Sequence, residues 1–206
     1  MTNHNIKLEI KNYFGGISIL RVISGTARGH KLKTPGGNAT RPTSDRVKES
    51  LFNIIAQYIY DSEVLDLFSG TGSLGIEALS RGAASAVFID ISSECAGIIR
   101  HNLEHTKLIQ KAEVLIGDVC ATVQKLGFNG RKFDIIFMDP PYNRQFIQKT
   151  LNFIDSCGII KQDGIIIAER HRDDMLPKSV GGLKLAREEK YGDTVLSFYK
   201  ERGHTR

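Results

Sequence analysis

Val64-Leu65-Asp66-Leu67-Phe68-Ser69-Gly70-Thr71-Gly72-Ser73-Leu74-Gly75 is a short apolar run that passes through a glycine-rich turn into helix-forming sequence. Residues 64–68 read as a buried strand and 73–81 as the helix that follows it. Outward from this unit the same rhythm repeats, with strands expected at 86–90, 113–117, 133–139 and 164–169 and helices at 92–105, 119–126 and 144–156. Parallel strands need crossover connections, which are right-handed almost without exception. The alternation therefore predicts a doubly wound, Rossmann-like α/β sheet with helices on both faces. The end breaks the rhythm: 183–190 and 194–200 read as strands around Tyr191-Gly192-Asp193, so a C-terminal antiparallel hairpin closes a mostly parallel, seven-stranded sheet.

Gly70-Thr71-Gly72-Ser73-Leu74-Gly75 satisfies the spacing of a dinucleotide-binding turn, and Asp90 lies about twenty residues on, where a ribose-binding acid belongs. A nicotinamide dehydrogenase is thus one reading. Asp66 argues for another, because it ends the first strand just where a dinucleotide's pyrophosphate would approach the helix, and a carboxylate repels phosphate. The same carboxylate suits a cofactor without phosphate and with positive charge, such as S-adenosylmethionine, whose ammonium and sulfonium are cationic. Gly70 and Gly72 then serve close backbone approach. Asp90 accepts from the ribose hydroxyls, and Asp118, after the third strand, is placed to accept from the adenine amine. Each acid alone is also an ordinary helix cap, Asp118 before 119–126 above all.

Asp139-Pro140-Pro141-Tyr142 follows the apolar run 133–138. Two prolines fix φ and remove two backbone donors, leaving nearby carbonyls to accept. The Asp139 carboxylate and the Pro140 carbonyl form a stiff acceptor pair, and Tyr142 adds a flat face for stacking. These parts grip an exocyclic amine on a nucleobase; the alternative is a plain strand-to-helix turn.

The 206 residues, 41% hydrophobic and 25% charged, fit a soluble globular chain with one substantial core. Residues 1–18 are weakly patterned and read as an extension, 19–62 as a hairpin and helix that contact RNA, and 63–206 as the α/β core. In the second segment, 19–23 and 30–33 are expected to pair as a small β-hairpin. After Pro35-Gly36-Gly37, the spacing of Val47, Leu51, Ile54, Ile55, Tyr58 and Ile59 predicts an amphipathic helix capped by Ser44 or Asp45. The formal charge of +5 is modest, but Arg21, Arg28, His30, Lys31, Lys33, Arg41, Arg46 and Lys48 gather in a stretch poor in acids, which points to a polyanionic partner. Cys95, Cys120 and Cys157 lack the spacing of a disulfide framework or a zinc site and read as reduced cytoplasmic thiols. With neither an apolar leader nor a run of about eighteen apolar residues, secretion and membrane spanning are not expected.

The runs 66–72 and 139–142 resemble class I S-adenosylmethionine-dependent methyltransferases that modify exocyclic amines. Ile23-Ser24-Gly25, Arg28-Gly29-His30-Lys31-Leu32, the block from Arg41-Pro42-Thr43-Ser44-Asp45-Arg46-Val47 to Asn53, and 74–83 are more specific. Together they resemble the RsmD family of bacterial 16S ribosomal RNA guanine-N2 methyltransferases, over about 19–200. The resemblance implies methylation of one guanine N2 amine in 16S ribosomal RNA, on the RNA or an assembling small subunit, with S-adenosylhomocysteine as the product; no metal is expected, and a monomer is the default expectation. It assigns Asp139, Pro140, Pro141 and Tyr142 to catalysis and Asp66, Phe68, Gly70, Gly72, Asp90 and Asp118 to the cofactor. Arg28, Lys31, Arg41 and Arg46 are expected to meet RNA phosphates. Two rivals stand beside it: a DNA adenine-N6 methyltransferase, which shares the amine-gripping loop, and a non-catalytic assembly factor that keeps the fold.

Overall fold

The computed structural model describes residues 20–35, 45–140 and 144–201. Helices α1 (Asp45–Ile54) and α2 (Ala56–Ile59) lead into β1 (Glu63–Leu67), α3 (Ser73–Ser80), β2 (Ser85–Asp90) and α4 (Ser93–His105). After a short 3-10 turn come β3 (Ala112–Ile116), α5 (Val119–Phe128), β4 (Phe133–Met138), α6 (Arg144–Cys157) and β5 (Ile160–His171). The described residues end in β6 (Ser179–Val180), β7 (Leu183–Tyr191) and β8 (Thr194–Glu201). They form one eight-stranded sheet in the order β3-β2-β1-β4-β5-β8-β7-β6. The first five strands in that order are parallel and the rest antiparallel. The sheet therefore has one strand more than the sequence predicts. The addition is the two-residue edge strand β6, too short to leave a periodic signal.

Strand alternation sorts the core into two layers. Val64, Phe88, Phe137 and Ile167 face one side, where they meet Leu51 and Phe52 of α1, Ile76 of α3 and Ile99 and Leu103 of α4. Leu65, Leu67, Ile89, Met138 and Ala168 face the other, against α5 and α6. Strand β5 begins earlier than the expected 164–169 because Asp163, at φ 66°, opens a bulge whose polar residues read as loop.

The expected hairpin over 19–23 and 30–33 is a single antiparallel bridge, Arg21 to Lys31, in the described residues. The ladder stops because its donors go elsewhere. Ile23 N and Ser24 N donate to the two carboxylate oxygens of Glu77 in α3, at 2.7 and 2.9 Å. Thr26 N and Ala27 N donate to the Ser80 carbonyl and hydroxyl, at 2.8 and 2.9 Å. Gly25 is essential to this docking: at φ +85°, a Cβ there would lie 1.8 Å from the Ser80 carbonyl oxygen. The runs 23–25 and 74–83, read separately in the sequence, are thus the two halves of one clamp. Its centre is dry, with Lys48 and Glu77 side chains fully buried 3.5 Å apart and Lys48 Nζ also donating to the Arg21 carbonyl at 2.6 Å. Lys48 therefore leaves the basic surface that the sequence assigned it to.

Candidate active site

The order of the parallel strands reverses at β1, whose neighbours are β2 and β4, and the crevice beyond the strand ends at such a point is where α/β sheets bind ligands. The local sequence builds this crevice from strained turns. Phe68 takes a left-handed φ of 59°, a conformation that costs about 1–3 kcal/mol for a non-glycine residue, and Gly70 and Gly72 follow at 53° and 76°. The third glycine serves packing: a Cβ on Gly75 would lie 2.3 Å from the Phe88 ring. Phe68 also sets its ring edge against Phe146 of α6, centroids 6.3 Å apart, joining the glycine turn to the helix after Asp139.

Four acids meet at this end of the sheet. Asp66 follows Val64 by two residues, Asp90 follows Phe88, Asp139 follows Phe137 and Glu169 follows Ile167, so all four share the face that carries α1 and α3. Asp66 is buried, and its Oδ2 accepts from Gly75 N at 3.0 Å. Burial pushes its carboxyl up to about 8 against the opposing Gly75 N–H, with the Asp90 charge adding to the rise. One of the N–H groups of the first turn of α3 is thus already taken. Asp90 holds the glycine turn, accepting from Gly70 N and Ser92 N, both at 2.8 Å.

Asp139 lies one residue past β4. The residue is exposed to solvent, yet protein atoms crowd around its carboxyl, as expected at the rim of a crevice. Burial first, then the charges of Glu169 and Asp66, hold its carboxyl well above the usual carboxylate range. Pro140 beside it is buried; Pro141 and Tyr142 lie outside the described residues. Asp118 caps α5, with Oδ1 accepting from Ala121 N at 2.9 Å, and a carboxylate keeps further acceptor capacity after one such bond. Both uses read from the sequence are therefore compatible.

Three features at the rim escaped the sequence. Ile91 and Ile116, at 75% and 52% exposure, stand beside Asp90, and exposed large apolar side chains at strand ends are surfaces for a flat apolar ring. Glu169 is the third, and only the pairing of Met138 with Ala168 reveals it as Asp139's neighbour. Among the described residues no group of three His, Cys, Asp or Glu side chains could hold a metal, and no helix is long and apolar enough to cross a membrane.

The basic residues divide. Arg46 is exposed at the start of α1, while its neighbour Asp45 pairs with Arg21 at 3.0 Å. Lys31 is exposed on the bridge to Arg21. Arg28 is exposed on the turn docked at Ser80, the opposite end of α3 from the glycine turn, about 12 Å along the helix. Arg41 lies outside the described residues.

The model of the family described as "Conserved hypothetical protein 95" matches residues 20–200. The YlbH protein of Bacillus subtilis is 42% identical, over 89% of this chain and 100% of its own. The "Ribosomal RNA small subunit methyltransferase D" of Escherichia coli is 34% identical, over 90% of this chain and 91% of its own. The solved structure of yhhF from Escherichia coli covers 89% of this chain and 98% of that one at 34% identity, with a TM-score of 0.79. The chain belongs to the Conserved hypothetical protein 95 family, the RsmD family of the sequence resemblance.

Proposed function

We propose that this protein is an S-adenosylmethionine-dependent methyltransferase that modifies the exocyclic N2 amine of a guanine in 16S ribosomal RNA, free or within a small subunit. The observation that carries the reading is the pair Asp66, on β1, and Asp139, one residue past the adjacent β4, at the sheet's reversal, one suited to a cationic cofactor and the other to an amine. The name shared by the relatives at 34% identity supports ribosomal RNA as the substrate.

The residues present fit the cofactor. A buried carboxyl held neutral up to about pH 8 is a site awaiting a cation, and Asp66 is assigned to the ammonium. Gly70 and Gly72 allow close approach, with Phe68 holding their turn. Asp90 is assigned to the ribose, Asp118 to the adenine amine, and Ile91 and Ile116 to the adenine faces. S-adenosylmethionine, when bound, supplies the methyl group and departs as S-adenosylhomocysteine.

The guanine amine is a poor nucleophile because its lone pair is delocalised into the ring. Asp139 and the Pro140 carbonyl each accept one of its N–H groups, which turns the lone pair out of the ring plane and fixes its direction. Tyr142 stacks on the base, and Pro141 stiffens the loop. As positive charge builds on the nitrogen, Asp139 stabilises it and then takes the proton that N2 loses, a role its raised proton affinity suits. Arg28, Lys31, Arg41 and Arg46 hold phosphates, so residues 19–62 contact RNA while 63–206 carry out transfer.

Cofactor binding tests the assignment of Asp66. Its folded pKa lies above the unfolded one, so ionisation costs more in the ligand-free protein, and its contribution to stability is lost as pH rises from about 4 towards about 8. Capture of an ammonium group must release this proton. Affinity for S-adenosylhomocysteine, followed by calorimetry, is expected to rise by up to about tenfold per pH unit between about pH 6 and pH 8, then level off. Asp66→Asn is expected to bind more weakly and without that slope. An affinity flat with pH in the unaltered protein would remove Asp66 from the ammonium site.

A further inference from the structure

Asp139 and the Pro140 carbonyl account for both hydrogens of the guanine amine, but guanine carries a third donor beside them, N1–H. Left without an acceptor in an enclosed crevice, that group would cost about 1–3 kcal/mol. The sheet supplies a second carboxyl at this place. Met138 pairs with Ala168 in parallel register, so Asp139, one residue past β4, comes next to Glu169 of β5, close enough for the Glu169 charge to act on its carboxyl. Beyond Glu169, β8 presents Leu196, an apolar residue packed into the core.

We propose that Glu169 accepts the N1–H of the target guanine and so decides which purine the site modifies, a role that rests on the guanine-N2 reading above. Two carboxyls side by side oppose each other's ionisation, and Glu169 is in fact among the causes of Asp139's raised pKa. A ligand edge with adjacent N–H donors relieves that opposition, and the guanine Watson–Crick edge is such an edge. Adenine instead places the N1 lone pair towards the same carboxylate, where it is repelled. Discrimination thus comes from a mismatch built against the wrong base as well as a bond to the right one.

2-Aminopurine separates these contributions, since it keeps the N2 amine but has an acceptor at N1. Small subunits are reconstituted with 16S RNA carrying guanine or 2-aminopurine at the methylated position, once that position is mapped with the unaltered protein. Methyl transfer is then compared as kcat/KM. The unaltered protein is expected to favour guanine by about 100-fold or more. Glu169→Ala is expected to bring the two substrates within about threefold, by losing activity on guanine. Glu169→Gln, whose amide oxygen still accepts, is expected to recover part of the preference. S-adenosylhomocysteine affinity within about twofold of the original establishes that each variant keeps its cofactor site. A guanine preference that survives in Glu169→Ala would overturn the role of Glu169 and leave the function standing. Failure of the unaltered protein to produce N2-methylguanosine would overturn the function itself, and this inference with it.

Discussion

Asp139→Ala is expected to lower the rate of methyl transfer by roughly two to four powers of ten while leaving S-adenosylhomocysteine affinity within about twofold. The loss has two sources. The variant keeps only the Pro140 carbonyl to turn the amine's lone pair outward, and has no anion beside the nitrogen as positive charge develops on it. Affinity for the cofactor holds because its contacts are assigned to other strand ends, Asp66 on β1 and Asp90 on β2. Asp139→Asn keeps an oxygen acceptor but loses both the charge and the proton sink, so its rate is expected to fall between the two. Single-turnover rates with saturating cofactor make the comparison. Turnover near the original level in Asp139→Ala would remove this residue from the chemistry.

Glu77→Ala carries the largest expected loss of stability, about 3–5 kcal/mol. Glu77 is fully buried and accepts from Ile23 N, Ser24 N and the Arg81 Nε, with the Lys48 ammonium 3.5 Å away. Its removal leaves two backbone donors and a buried ammonium without their carboxylate. Lys48 already has its pKa lowered by burial, so in the variant it sheds its proton more readily and the loss is expected to shrink as pH rises. Replacing the pair together, Lys48→Met with Glu77→Leu, is expected to recover a sizeable part of the stability, a coupling that single changes would hide. Denaturant midpoints measure all three variants. A loss below about 1 kcal/mol in Glu77→Ala would mean that the 20–35 segment is held by its apolar contacts rather than by this clamp.

The sequence made the parallel core readable because each strand there is a short apolar run bounded by turn residues, and 133–138 followed by Asp139-Pro140 is the clearest case. Asp66, Asp90 and Asp139 were legible for the same reason, since each stands at or within one residue of the end of a strand whose position the pattern defines. What stayed hidden depends on partners distant in the chain. Glu77 lies 53 and 54 residues from the backbone donors it holds, so neither the interrupted hairpin nor the burial of Lys48 follows from local composition. Glu169 sits in an apolar strand with no motif around it, and its place beside Asp139 exists only in the β4–β5 register. The raised pKa of Asp66 likewise follows from burial: the sequence supplied a carboxylate, whereas the fold buries it and pushes its carboxyl up to about 8.

The guanine-N2 assignment is tested most directly by the identity of the methylated nucleoside. Labelled S-adenosylmethionine is offered with small ribosomal subunits, naked 16S RNA and duplex DNA, and each acceptor is digested to nucleosides. The label is expected in N2-methylguanosine from the RNA or the subunit, and to be absent from the DNA. N6-methyladenine from the duplex, or no transfer to any acceptor by protein that binds the cofactor, would contradict the assignment.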